Sequence, residues 1–318
     1  MIVPILLIVV GFVLLIKGAD WMVSGSSALA KKNHISNIAI GLTIVAFGTS
    51  APELVVNSFA SFHGHSDIVF GNVIGSNNFN LFIILGIVGL ISPIVVQSNT
   101  VWKEIPLSLF AVLILYLLSN IFFFQDSPVL SRLDGLVLIV MFGLFLFYVY
   151  RQLKTETLVT EIAIIPMSTL KIWSFIILGL SGLILGGKLV VDNAVEVASG
   201  MGVSEKIIGL TIVSAGTSLP ELVTSVVAVL RKNNDIAIGN IIGSNIFNIF
   251  LILSVSSFIR PIEFASIFNI DIYILAGGTI FLFIAMFTGV KKKLDRWEAG
   301  ILLISYLAYT AYLISMEL

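Results

Sequence analysis

Apolar residues run through this chain in long blocks, and polar residues gather in short gaps between them. Ten blocks have spanning length, near 3–29, 37–61, 68–91, 102–124, 129–150, 171–198, 206–230, 236–259, 270–290 and 297–315. About 20 apolar residues cross a bilayer as a helix. The pattern therefore predicts an all-α polytopic membrane protein with ten transmembrane helices. The longest polar interruption is 151–169, RQLKTETLVTEIAIIPMST, and it separates a first half, 1–150, from a second, 170–318. The first block has no basic residue before it, lacks a small-residue cleavage pattern and runs on past Gly18. It reads as a retained span rather than a signal peptide.

The two halves repeat each other. Shifted by 168 positions, GLTIVAFGTSAPELV (41–55) falls on GLTIVSAGTSLPELV (209–223), and GNVIGSNNFN (71–80) falls on GNIIGSNIFN (239–248). The register holds without a gap, and Gly, Thr, Ser, Pro, Glu and Asn match one for one. Each half carries five spans, an odd number, so the second half must enter the membrane from the opposite side. Inverted repeats of this kind are typical of secondary transporters, with the site at midplane where the repeats meet. Basic residues crowd the loops after odd-numbered spans, at Lys31, Lys32, Lys103, Arg151, Arg231 and the run Lys291, Lys292, Lys293. Loops after even-numbered spans hold only Arg132, Lys206 and Arg260. The positive-inside rule makes the first set, with the 151–169 linker, cytoplasmic. It places the protein in the cell membrane with both termini extracytoplasmic.

Composition agrees: 58% of residues are hydrophobic and 11% charged, against about 45–50% and about 25% in soluble domains. The net charge of −1 gives no footprint for a nucleic-acid partner. The absence of cysteine removes disulfides and thiolate metal sites.

Against this apolar background, Glu53 and Glu221 stand deep inside the second and seventh spans. A carboxylate there costs several kcal/mol unless compensated, about 2.5–3.5 on insertion scales. Each follows a proline. Pro52 cannot donate to the carbonyl of Gly48, nor Pro220 to that of Gly216, so both helices should kink or unwind. Freed carbonyls persist in a membrane only where protein or a polar cavity satisfies them. Thr49 and Ser50 precede Glu53 by four and three residues, a spacing that shares one helix face, and Thr217 and Ser218 repeat it before Glu221. In the third span Asn72, Ser76 and Asn80 follow at i, i+4 spacing, as do Asn240, Ser244 and Asn248 in the eighth. Gathered around two carboxylates, these oxygens would form a cage suited to hard cations such as Ca²⁺ and Na⁺. Its charge of −2 would be neutralised by one Ca²⁺, two Na⁺ or two protons. Hydroxyl and amide side chains also serve membrane-helix packing, and for Asn72 and Asn240 the two roles weigh evenly.

The duplicated G-T-S-x-P-E and G-N-x-I-G-S-N-x-F-N blocks resemble the two alpha-repeats of the sodium/calcium exchangers, within the cation/calcium exchanger superfamily. The resemblance covers nearly the whole chain and implies an antiporter that exchanges Na⁺ for Ca²⁺ by alternating access, with no cofactor. It implies a central site lined by the second, third, seventh and eighth helices, with Ca²⁺ held by Thr49, Glu53, Thr217 and Glu221. Na⁺ positions would lie near Ala46, Ser50, Ser76, Ser214, Ser218 and Ser244, with Asn80 and Asn248 at the middle of the cage. The long first and sixth helices would slide. Some relatives, including potassium-dependent ones, carry Asp where this chain has Asn248, which speaks against a K⁺ requirement and for a cage with two acids. Proton/calcium exchangers of the superfamily generally lack Pro before the acid, so H⁺ stands as the alternative driving ion.

Two other function classes fit less well. A passive cation channel usually builds its filter on an oligomer axis, whereas the symmetry here lies within one chain. An enzyme would need a base beside its nucleophile, and His34, His63 and His65 fall in loops or at span ends.

Overall fold

A computed structural model of the protein describes residues 2–120, 128–153, 167–201 and 214–317. The expected end of the fourth span (121–124), the start of the seventh (206–213) and most of the 151–169 linker lie outside the described residues. The described residues are helical almost throughout, because a backbone in lipid must satisfy its own N–H and C=O groups. In order come α1 (Ile2–Lys32), α2 (Asn37–Thr49), α3 (Ala51–His63), α4 (Ser66–Ile91), α5 (Thr100–Asn120), α6 (Arg132–Leu153) and α7 (Thr169–Gly200). The short α8 (Ser214–Thr217) follows, then α9 (Leu219–Leu230), α10 (Asn234–Ile259), α11 (Phe268–Ala285) and α12 (Arg296–Glu317).

Every block expected from hydropathy holds a helix. Among the described residues, seven helices are long and apolar enough to cross a membrane, or eight if the bent pair α2 and α3 is one span. The expectation was ten. The shortfall includes α9, 12 residues long, in a block expected from 206 whose first part, 206–213, lies outside the described residues. Two expected boundaries move. Residues 129–130 form a strand before α6, and α11 stops at Ala285, short of 290. Hydropathy reads the apolar side chains of a strand or turn as it reads those of a helix.

The chain divides into two compact units, each drawing on both halves of the sequence. The first contains residues 1–53 and 145–243. Its frame is α1 packed along α7. Gly11 of α1 meets Gly186, Gly18 meets Gly179, and Gly25 meets Ile172. As numbers rise along α1 they fall along α7, so these repeat-equivalent helices run antiparallel, as an inverted repeat requires. A Cβ on Gly18 would lie 2.7 Å from the carbonyl oxygen of Gly179, and one on Gly179 would lie 2.6 Å from the backbone nitrogen of Met22. Only glycine permits backbones this close, the small-residue packing common between membrane helices. In the same unit α2 lies against the start of α10, where a Cβ on Gly239 would come within 2.8 Å of the Ile38 carbonyl oxygen.

The second unit contains residues 54–144 and 244–318. Four two-residue strands pair antiparallel in two ribbons. β1 (Ile94–Val95) pairs with β4 (Lys293–Leu294), and β2 (Val129–Leu130) with β3 (Ile262–Glu263). Each ribbon leads into a capped helix. At the start of α6 the Ser131 backbone N–H donates to the Asp134 carboxylate (2.8 Å), and the Asp134 N–H returns to the Ser131 hydroxyl (3.2 Å). At the start of α12 the Asp295 N–H donates to the Glu298 carboxylate (2.7 Å). The first is a reciprocal capping box, and the second forms its carboxylate arm alone. Lys293, 2.7 Å from Asp295, holds that half-buried carboxyl below its usual range by hydrogen bond and charge.

The α1–α7 crossing gives a direct test. Gly18→Ala should lower the midpoint of thermal unfolding in detergent, since overpacking costs about 1–3 kcal/mol. Gly143→Ala on α6, where an added Cβ meets nothing within 4 Å, should leave the midpoint nearly unchanged. Equal midpoints for both variants would show that the crossing yields freely.

Candidate functional site

Both G-T-S-x-P-E motifs break their helix at the serine. Ser50 (φ −82°, ψ 6°) separates α2 from α3, and Ser218 (φ −90°, ψ 7°) separates α8 from α9. These angles lie in the sparsely populated bridge region. The break at Ser50 bends α2 from α3 by 47°. It also resolves the proline problem. Pro52 and Pro220 fall in the first turn of a new helix, where a missing N–H has no intrahelical partner to lose.

Glu53 and Glu221 thereby sit in the first turn of α3 and α9, each with about 1% of its surface exposed. The partial positive charge of a helix N-terminus favours a carboxylate by about 0.3–1 kcal/mol at the surface and up to about 2 when partly buried. Ser50 and Glu53 have the spacing of a capping box, as do Ser218 and Glu221. The serines do something else. The Ser50 hydroxyl donates to Glu221 at 3.0 Å, and the Ser218 hydroxyl donates to Glu53 at 3.2 Å. Each motif supplies the hydroxyl for the other motif's acid. The sequence groups each serine with the glutamate three residues on, and the fold exchanges the partners.

Further polar groups join this cluster. Thr49, fully buried, donates from its hydroxyl to the Asn240 side-chain carbonyl at 2.9 Å. The Asn240 amide donates to the Ser225 hydroxyl (3.1 Å) and to the backbone carbonyl of Glu221 (3.4 Å). The Ala46 carbonyl accepts the Ser50 N–H at 3.0 Å and the Thr49 hydroxyl at 3.4 Å. Thr217 is half-buried at the end of α8, and the side chain of Ser214 lies outside what the structure describes.

In the second unit, Asn80 and Asn248 are almost fully buried in π-helical turns of α4 (Phe79–Ile84) and α10 (Asn248–Ile252). π turns inside α-helices are frequent at functional sites. Two of them at repeat-equivalent positions are not visible in hydropathy, which does not distinguish an i+4 from an i+5 hydrogen bond. Asn80 donates to the side-chain carbonyl of Asn245 (3.1 Å), and Asn248 to that of Asn77 (3.0 Å). Ser76 and Ser244, each next in sequence to one of these partners, are buried.

Three members of these hydrogen-bonded clusters do not stand out in the sequence pattern: Asn77, Asn245 and Ser225. A signal was present. Asn77 and Asn245 are separated by the repeat shift, and Ser225 and Asn57 are the shift-related residues four positions after the two glutamates.

A family model described as sodium/calcium exchanger protein matches the chain twice, over residues 3–151 and 171–315. CaxA of Alkalimonas amylolytica is 38% identical over 324 residues, covering 99% of this chain and 100% of its own. Sodium/calcium exchanger MaX1 of Methanosarcina acetivorans is 30% identical, with 97% of each chain covered. The solved structure of the sodium-calcium exchanger NCX_Mj is 32% identical and superimposes with a TM-score of 0.83, over 98% of each chain. A family model met once in each half, full-length relatives and a shared fold lead to one conclusion: this chain belongs to the sodium/calcium exchanger protein family.

Proposed function

We propose that the chain is a secondary active antiporter that moves Ca²⁺ against Na⁺ across the cell membrane. The observation that carries this reading is the reciprocal pair of buried acids. Glu53 and Glu221 each accept a hydroxyl from the opposite motif at the first turn of a broken helix. A hydroxyl and a helix dipole offer partial charges only. A proton or a metal cation neutralises a buried carboxylate outright, and exchange of such species is the chemistry these groups suit. Thr49, Glu53, Thr217 and Glu221 serve Ca²⁺ in this reading. Ala46, Ser50, Ser76, Ser214, Ser218 and Ser244 serve Na⁺, and Asn80 and Asn248 contribute neutral amide oxygens. Among the described residues no three His, Cys, Asp or Glu side chains cluster, so these neutral oxygens would carry much of the coordination.

Residues 1–150 and 170–318 act as inverted repeats joined by the cytoplasmic linker 151–169, with both termini extracytoplasmic. The glycine-lined contact of α1 with α7 supports their sliding as one step of alternating access. Proline before both acids, together with the names of MaX1 and NCX_Mj, favours Na⁺ over H⁺ as the driving ion.

Ca²⁺ uptake into liposomes holding the purified protein tests the driving ion. With the membrane potential clamped, uptake should require Na⁺ inside. Uptake driven by a pH gradient without Na⁺ would assign the same acids to H⁺/Ca²⁺ exchange. Glu53→Gln and Glu221→Gln should each abolish Ca²⁺ flux while the protein still folds, and normal flux in either would refute the site. Ser50→Ala and Ser218→Ala should each raise the KM for Ca²⁺ about tenfold, since a hydrogen bond to a charged group contributes about 1.5–3 kcal/mol and about 1.4 kcal/mol is tenfold.

A further inference from the structure

Four buried asparagines of the second unit, Asn77, Asn80, Asn245 and Asn248, form a chain of directed hydrogen bonds. Its direction is set by the backbone. A backbone carbonyl can only accept. The Asn245 carbonyl accepts the side-chain amide of Asn77 at 3.2 Å, and the Asn77 carbonyl accepts that of Asn245 at 3.5 Å. Each of these side chains must therefore present its NH₂ to backbone and turn its Oδ1 the other way. That oxygen meets a second asparagine, Asn248 for Asn77 and Asn80 for Asn245. Facing an acceptor, Asn80 and Asn248 must in turn offer their own NH₂. Their Oδ1 atoms are left pointing outward from the chain, buried and without a hydrogen-bond partner among the described residues. A buried acceptor without a partner is costly, and here two occur at repeat-equivalent positions.

We propose that Asn77 and Asn245 are positioning residues for cation binding. They hold the amides of Asn248 and Asn80 so that each presents oxygen, never NH₂, to the transported ion. The inference rests on the cation-exchange reading and adds two residues to it. It also gives a reason for neutral amides at both 80 and 248. A carboxylate at 248 would oppose the Asn77 oxygen, whose own NH₂ is committed to backbone.

The test is Ca²⁺ uptake by the full chain in liposomes, reading KM and maximal rate separately, with thermal midpoints measured on the same samples. Asn77→Ala frees the Asn248 amide to rotate, and Asn245→Ala frees Asn80. Each should raise the Ca²⁺ KM about tenfold, with maximal rate changed less than threefold. In an Asn248→Asp background both terminal atoms are oxygen, so rotation costs no ligand, and adding Asn77→Ala, which also removes the opposed oxygen, should leave the KM unchanged or lower it rather than raise it. A purely structural pair gives the opposite pattern: lower midpoints, unchanged KM and no dependence on the residue at 248. That pattern, or loss of fold in both alanine variants, would overturn the proposal. Absence of Ca²⁺ uptake by the unmodified protein would instead overturn the exchange reading itself, and the positioning role with it.

Discussion

The burial of two acidic side chains is the constraint around which this fold is arranged. Two carboxylates sit in apolar helical surroundings, where an ion is strongly disfavoured unless it is paired or hydrogen-bonded. Continuous helices would surround each acid with side chains alone. Breaking the helix at Ser50 and Ser218 places Glu53 and Glu221 at N-terminal turns, where the backbone itself contributes positive potential. The prolines make the break inexpensive, since a first-turn position asks nothing of their missing N–H. The exchanged serine contacts then tie the two breaks together, so neither acid's environment is complete within its own motif.

Close backbone approach is the second requirement. Hydroxyls and amides reach across only if the helices bearing them come near each other. In the first unit glycine supplies that proximity twice, between α1 and α7 and between α2 and the start of α10. In the second unit the asparagine chain does related work with polar groups. Asn77 and Asn245 bridge α4 and α10 through side chain and backbone at once. Amide-to-carbonyl bonds have a sense of direction that apolar packing lacks, and the direction set at the backbone passes to the side chains of Asn80 and Asn248.

Much was legible in the linear chain. The 168-residue register, the two acids and the prolines before them are local facts, and so are the helix breaks they cause. Membrane insertion follows from apolar block length, and the helical state follows from the need to satisfy backbone groups within each block. The i, i+4 spacing of Ser76 with Asn80 and of Ser244 with Asn248 follows from helix geometry alone. A repeat of glycines at 11 and 18 with those at 179 and 186 was equally present in the letters.

Partners were not legible, because partners are chosen between segments far apart in sequence. Spacing joined Ser50 to Glu53, yet its hydroxyl reaches Glu221, 171 residues away. Asn240 had even claims to packing and to the site, and its contacts with Thr49 and Ser225 came only from the meeting of α2, α9 and α10. Asn77 and Asn245 follow the motif serines directly in sequence, and it is two backbone carbonyls that fix which way their amides turn. A sequence determines which groups can donate, accept or bend a helix. Which group faces which depends on the distance between helices, and that distance is a property of the folded chain.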